Sequence, residues 1–323
     1  MKYIGKPLNL EKYVKVDDYS REKGIYKFEA KRPENELSRK NHNSFFLKLS
    51  KWDAEQHLAE MLGFLIAKKV GFKVCEAEML KSQRVGTPYF DTGVLSYVEK
   101  NKNDVIMLPT EMINEYRKSI DSKPEADWIY NIDEVINAAF KRVTDRHRPY
   151  EEFLNFKQDF INMVVYDIKF VNADRVADNW MIREDKENGE FDMYPMFDNA
   201  SVLGFASRGI PSMKDEAKYR EEVKAMEQNR QCAIITPESQ MTSEIEEDYH
   251  SMLKHMLRTY PEQTKKAINA VNTFTRSDLE NILDEIEDIT PERKKFTLDI
   301  FDERDKGFRE FCKEYMSKDK VIE

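Results

Sequence analysis

Asn172-Ala173-Asp174-Arg175-Val176-Ala177-Asp178-Asn179-Trp180 is the stretch on which the reading of this sequence turns. It follows an apolar run, Phe160–Phe170, that continues the helical spacing of Phe153 and Phe156, so a buried helix is expected to stop where polar residues abruptly begin. Asp174 and Asn179 have the spacing D-x-x-x-x-N. In a phosphotransferase catalytic loop that spacing lets the aspartate orient or accept the proton of a substrate hydroxyl, while the asparagine oxygen reaches a magnesium ion. Nineteen residues beyond Asn179 comes Asp198, after the apolar pair Met196-Phe197. Between them, Trp180–Ile182 and Phe191–Tyr194 flank Glu187-Asn188-Gly189 as a short hairpin would, which returns Asp198 to the side of Asn179. Magnesium takes a few carboxylate or amide oxygens together with phosphate oxygens and water, and this pair would supply the protein's share. The spacing alone is common in charged sequences, and Asp174 and Asn179 equally suit the caps of helices or turns.

Upstream, the order of the other parts adds to it. Gly24–Ala30, Ser44–Ser50, Lys73–Gln83 and Thr87–Val98 read as strands, and Trp52–Val70 carries Leu58, Met61, Leu62, Leu65 and Ile66 at helical spacing, with Gly71 placed for a left-handed cap. Ser44-Phe45-Phe46-Leu47-Lys48-Leu49 puts one lysine inside an apolar strand, and Glu60 lies on the helix that follows. A strand lysine paired with a helix glutamate positions the α- and β-phosphates in kinases. The plainer readings are an edge-strand lysine facing solvent and a glutamate on a solvated helix face.

The run from Phe160 through Asp174-Arg175 to Asp178-Asn179-Trp180, with Tyr194-Pro195-Met196-Phe197-Asp198 and the stretch Ala59-Glu60 to Val70-Gly71-Phe72-Lys73-Val74, resembles the HipA-like serine/threonine protein kinases. Within that family it is most similar to the compact, single-chain CtkA-like branch. The resemblance covers roughly Phe45–Gly204 with gaps. It implies Asp174 as catalytic base, Asn179 and Asp198 as magnesium ligands, Lys48 on the nucleotide phosphates and Glu60 as its partner. Val94-Leu95-Ser96-Tyr97-Val98-Glu99 is similar to the family's interlobe hinge, which would bring backbone groups of Ser96 and Val98 to adenine and Glu99 to the ribose. ATP and Mg2+ are the implied cofactors.

Two departures stand out. The family commonly has histidine where this sequence has Val176, which touches a nucleotide-contacting or loop-ordering interaction but not the base or metal ligands. No glycine lies between Gly24 and Gly63, so Lys31, Arg32, Arg39 and Lys40 stand where a glycine-rich phosphate loop is expected. Family members can be regulated by autophosphorylation of a serine in that loop, which points to Ser38 or Ser44. A decoy, Thr144-Asp145-Arg146-His147, has Tyr150 rather than Asn five residues after its Asp, and Lys141–Arg148 reads as an exposed charged loop.

Composition bounds the rest. The chain has 323 residues, 40% hydrophobic and 35% charged, with 19 Phe and 15 Tyr, which excludes disordered and collagen-like classes. Net charge is −9, yet residues 1–50 carry +5 and the remainder −14, so a local basic segment sits in an acidic protein. No direct nucleic-acid binding is expected from that balance. No uncharged stretch exceeds nine residues, so no membrane span is expected, nor is a secretory signal recognisable at the N-terminus. Cys75, Cys232 and Cys312 form no CxxC, and the five histidines show no metal-binding spacing, so each is expected in an unpaired surface or core role and the compartment to be the cytoplasm. Downstream, Ser277-Asp278-Leu279-Glu280 reads as a capping box, Thr290-Pro291-Glu292 as an N-cap before a helix, and Met252, Leu253, Met256 and Leu257 as core.

The expected fold is α+β: a two-lobed protein-kinase-like arrangement with a β-rich nucleotide-binding lobe over 1–99 and a larger, mostly helical lobe over 100–323. The expected activity is ATP- and Mg-dependent transfer of the γ-phosphoryl group to Ser or Thr of a protein substrate. A small antitoxin-type partner is a further implication of the resemblance. A pseudokinase serving as a binding module, or a phosphoinositide-type lipid kinase, are the alternatives.

Overall fold

β-branched, aromatic and aliphatic runs near the N-terminus form one sheet. The computed structural model describes residues 6–7, 25–28, 45–49, 55–83, 90–97, 104–121, 130–185, 190–199, 201–205, 210, 213–227, 234–237 and 249–316, with backbone only over 6–49, 80–83 and 90–92 and at 130, 227 and 235. Strands β1 (Lys6–Pro7), β2 (Ile25–Phe28), β3 (Phe45–Leu49), β4 (Ala77–Gln83) and β5 (Phe90–Tyr97) lie in the order β1-β4-β5-β3-β2. β1 runs parallel to β4 and the other pairs are antiparallel. Lys48 of β3 stands opposite Val94 of β5 on one side and Ile25 of β2 on the other.

Helix α1 (Gln56–Val70) connects β3 to β4 and is buried on nearly every side. A helix apolar all round belongs in an interior; here the sheet covers one face and the C-terminal helices the other. Gly71 ends it at φ +79, the left-handed position that spares a residue without Cβ.

Next come β6 (Asp104–Met107), α2 (Pro109–Ser119), β7 (Tyr130–Asn131), α3 (Ile132–Asp145) and α4 (Tyr150–Lys169). β8 (Ile182–Asp185) and β9 (Phe191–Met193) pair antiparallel with Ile182 opposite Met193, as the hairpin reading expects; the turn residues Glu187-Asn188-Gly189 lie outside the described ones. The sequence does not flag β6, which completes this sheet on the other side of β8. The chain continues through α5 (Glu216–Glu227), β10 (Ile234–Ile235), α6 (Tyr249–Thr259), α7 (Pro261–Asn272), α8 (Arg276–Glu285) and α9 (Pro291–Met316). One apolar cluster joins Leu62 of α1, Phe160 and Tyr166 of α4 and Phe301 of α9, so α1 and the later helices share a core. Met252, Leu253 and Met256 are buried in it. Among the described residues no helix is long and apolar enough to cross a membrane.

Three expectations change. Lys141–Arg148 is exposed over Thr144–His147 as read, but it is not all loop: Lys141–Asp145 is the last turn of α3, and the buried Arg142 and half-buried Arg148 converge with Arg146 on the buried carboxylate of Glu184. The capping box starts at Thr275, not Ser277; the Thr275 hydroxyl accepts from Asp278 N–H and the Asp278 carboxylate accepts from Thr275 N–H, two residues earlier than read. His255 is paired, its Nε2 lying 2.8 Å from Asp133 Oδ1. The Thr290 cap is as expected, its hydroxyl accepting from Arg293 N–H at 3.1 Å.

Burial of α1 gives a pH prediction. His57 is only 4% exposed, and burial lowers its imidazole pKa from 6.5 to about 4. Between those values the unfolded chain binds a proton that the folded chain refuses, so stability falls as pH drops through the window. At pH 5 the loss is about 2 kcal/mol. The urea midpoint of the wild-type protein is expected to drop more between pH 7 and pH 5 than that of His57→Gln. Equal drops would assign the acid sensitivity to other groups.

Candidate active site

The site is built where α4 ends. Helix capping at Phe170 is followed by Val171 at φ +54, which turns the chain back so that Asn172 N–H donates to Asp167 O at 2.9 Å. The Asn172 amide also donates to Asp167 Oδ1 at 2.7 Å and accepts from the Ser201 hydroxyl at 2.6 Å. Ser201 Oγ in turn accepts from Asp174 N–H at 3.2 Å. The backbone of Asp174 is therefore anchored while its side chain is exposed. One 3-10 turn, Ala177–Asn179, brings Asn179 back, and its Nδ2 donates to the carbonyl of Asp174. That bond leaves Asn179 Oδ1 as the atom able to ligate a cation.

Arg175, 1% exposed, holds these pieces together. Its Nε and Nη2 donate to Asp167, both at 2.9 Å. Nη1 reaches Asn179 O at 2.9 Å and also Phe197 O, and Nη2 reaches Asn199 Oδ1 at 2.8 Å. One guanidinium thus ties the end of α4, the Asp174–Asn179 loop and the residues on both sides of Asp198. Burial by itself lowers the pKa of Arg175, but Asp167, with Asp198 and Glu60 further off, more than offsets this and keeps the cation charged. Burial likewise pushes the Asp167 carboxyl up, against the pull of Arg175.

The Asp198 segment is fastened to α1 and the chain after it. Met196 forms a parallel bridge with Val74: Met196 N–H donates to Lys73 O at 3.0 Å and Cys75 N–H to Met196 O at 2.9 Å. Asp198, partly buried, takes φ +55, a conformation a non-glycine residue holds only when its surroundings impose it. Asn199 N–H then donates to Glu60 Oε2 at 2.5 Å. One turn along α1, Gly63 accepts from the Tyr166 hydroxyl at 2.9 Å. A Cβ at Gly63 would lie 2.3 Å from Asn199 Cβ, so only glycine lets the helix approach this closely.

Of the residues nominated from sequence, Asn179 meets Arg175 through its carbonyl, Asp174 precedes Arg175 in the chain, Asp198 lies between two residues that Arg175 bonds, and Glu60 joins them through Asn199. Glu60 is 3% exposed, which disposes of the solvated-face reading. Lys48 stands on β3 opposite Val94, its side chain outside the described ones. Ser96 is buried in β5 between Ala77 and Phe46, while Val98, Glu99, Ser38 and Ser44 lie outside the described residues. Arg175, Asp167, Asn199 and Gly63 were not nominated. Asp167 carried a signal: a carboxylate in the apolar run Phe160–Phe170 is costly unless a cation meets it, and Arg175 is near in sequence.

No protein-family model and no curated protein matches the sequence. Solved structures do. The chain superposes on the proinflammatory kinase CtkA of Helicobacter pylori with a TM-score of 0.69, at 16% identity, over 90% of this chain and 94% of that one. It shares its fold with the HipA-like kinases. A second neighbour is HipA of Shewanella oneidensis MR-1, solved in a toxin–antitoxin complex with HipB and operator DNA, with a TM-score of 0.52 at 12% identity over 96% of this chain and 68% of that one. Mixed α/β architecture with small sheets and a large helical part agrees with that HipA-like fold.

Asn179 Oδ1 and the Asp198 carboxylate are hard oxygen donors, too few to cage a cation alone, which suits Mg2+ completed by phosphate and water. Among the described residues no group of three His, Cys, Asp or Glu side chains forms a metal cluster by itself.

Proposed function

We propose that this chain is an ATP- and Mg2+-dependent kinase that transfers the γ-phosphoryl group to Ser or Thr of a protein, with autophosphorylation included. The observation that carries the reading is that Arg175, next to Asp174 in the chain, bonds the carbonyl of Asn179 and the two residues flanking Asp198, in a fold shared with a structure described as a kinase. The fold is taken as two-lobed, with 1–99 covering the nucleotide and 100–323 carrying the catalytic loop. Lys48 meets the nucleotide phosphates, backed by Glu60; Ser96 and Val98 meet adenine and Glu99 the ribose.

Asp174, exposed at the rim of the loop, accepts the proton of the attacking hydroxyl as its oxygen bonds to the γ-phosphorus and ADP departs in line. Asn179 and Asp198 would hold the magnesium ion, which would supply positive charge against the phosphate oxygens. Arg175 carries no proton in the reaction; it fixes where the ligands stand. HipA comes from a complex with HipB and operator DNA; by extension a small antitoxin-type protein is proposed as partner here. Val176, where HipA-like sequences commonly have histidine, favours one second reading, a nucleotide-binding module without transfer.

The test is in two steps. MgATP is expected to raise the melting temperature of the wild-type protein, and chelation of the metal to abolish the shift. Radiolabel from ATP is then expected on the protein itself or on casein-like substrate, and to vanish in Asp198→Asn. Stabilisation without transfer selects the binding module, and label found only in added lipid overturns the protein-kinase reading.

A further inference from the structure

α8 and α9, for which the sequence offers no chemistry, grip both ends of α1. At its start, Glu55, the residue preceding the first turn, pairs with Arg293 Nε at 2.5 Å. Arg293 is 2% exposed, while Glu55 is half-buried, so the pair joins a buried cation to a carboxylate that still meets solvent. The same guanidinium donates through Nη1 to Gly204 O at 3.2 Å and lies over the Phe205 ring at 4.9 Å. Gly204 itself has φ +82, and a Cβ there would meet Ile300 Cδ1 of α9 at 2.5 Å, so this part of the chain is seated directly on α9. Leu203 N–H donates to Phe170 O at 2.9 Å, and Val202 N–H to Asn199 O at 3.2 Å, which carries the seating back to Asp198. At the far end of α1, Lys69 pairs with Asp278 of α8 at 2.9 Å. That pair is solvent-exposed and weak.

We infer that Arg293 is a positioning residue of the nucleotide site: from α9 it pins the start of α1 to residues 204–205, and so keeps Glu60 and the Asp198 turn in register. α1 and residues 196–205 already share the Glu60–Asn199 hydrogen bond, and Gly63 ties α1 to Tyr166 of α4. Arg293 is the buried cation that fastens this assembly to the C-terminal helices, which thereby set the geometry offered to MgATP. Removing it frees α1 to rotate as a body, taking Glu60 away from Asn199. The inference rests on the ATP-dependent reading, so its test has one arm that needs no nucleotide.

Amide hydrogen exchange in the absence of nucleotide forms that arm. In Arg293→Met, exchange is expected to speed up in residues 55–63 and 199–205 while α4 and α7 keep wild-type protection. The kinetic arm predicts a KM for ATP raised about tenfold with kcat changed less than about threefold, the scale of coupling through a packed network. Arg293→Lys, which keeps a cation for Glu55 but not the reach to Gly204, is expected to recover only part of the lost affinity. Exchange that rises evenly across the molecule, or that stays unchanged in both segments, overturns the inference. Selective exchange in a protein that binds no MgATP would overturn the kinase reading and leave Arg293 as the pin of α1.

Discussion

Asp174→Asn is expected to lower phosphoryl transfer by about 10²- to 10⁴-fold, the usual contribution of a positioned general base. MgATP affinity should stay within about threefold, because Asp174 is assigned to the hydroxyl of the acceptor and not to the phosphates. The substitution is nearly isosteric, and the anchoring bonds made here use the backbone of Asp174: its N–H to Ser201 and its carbonyl to Asn179. Its side chain is exposed, so stability is expected to shift by no more than about 0.5 kcal/mol. Single-turnover transfer with saturating MgATP, alongside a direct nucleotide-binding titration, separates the two effects. Turnover that survives within threefold would move the base elsewhere, and affinity lost together with turnover would mean that Asp174 belongs to the metal site. Asp198→Asn should behave in the opposite way, losing metal-dependent nucleotide binding first, because its carboxylate is assigned to the cation.

How much of this was legible in the sequence depends on the range of the interaction concerned. α1 and its Gly71 cap, the burial of Phe160–Phe170 and the hairpin from Ile182 to Met193 are local patterns, and periodicity reveals them. Asp174, Asn179 and Asp198 could be nominated because spacing along one loop and one hairpin keeps them near each other. Glu60 could be nominated but its surroundings could not: its hydrogen bond to Asn199 spans 139 residues. Gly63 looks like an indifferent helix residue until Asn199 is found against it. β6 was missed because four residues amid polar sequence make no periodic signal, and only pairing with β8 defines the strand. Lys141–Arg148 misled for a related reason. Several charges in a row usually mean a solvated face, but here Arg142 and Arg148 turn inward to Glu184, from a strand some 40 positions later. The C-terminal helices were unreadable because their contribution is contact with α1 and with residues 203–205, not a motif.

Arg175→Met is expected to cost about 3–5 kcal/mol of stability, since it strands the Asp167 carboxylate in the core without its cation. That is a large share of the roughly 5–15 kcal/mol that holds a typical domain together, so the variant should unfold at much lower urea. The loss has two separable parts. One is the uncompensated charge of Asp167, which a second substitution, Asp167→Leu, removes; the double variant should recover much of the stability, as replaced buried ion pairs often do. The other part is the tether itself: Nη1 to Asn179 O and Phe197 O, and Nη2 to Asn199 Oδ1, have no substitute in a methionine. The double variant is therefore expected to fold and yet transfer phosphate poorly, with the apparent affinity for Mg2+ falling along with the rate, because Asn179 and Asp198 are no longer held to one another. Arg175→Lys should lie between, keeping a charge for Asp167 but lacking the planar fork that reaches three segments at once. Equilibrium urea unfolding of the single and double variants, paired with magnesium titrations of transfer, reads both parts. If the double variant regains full activity together with its stability, Arg175 serves the fold alone. If it regains stability and stays inactive, the arginine beside Asp174 sets the metal geometry.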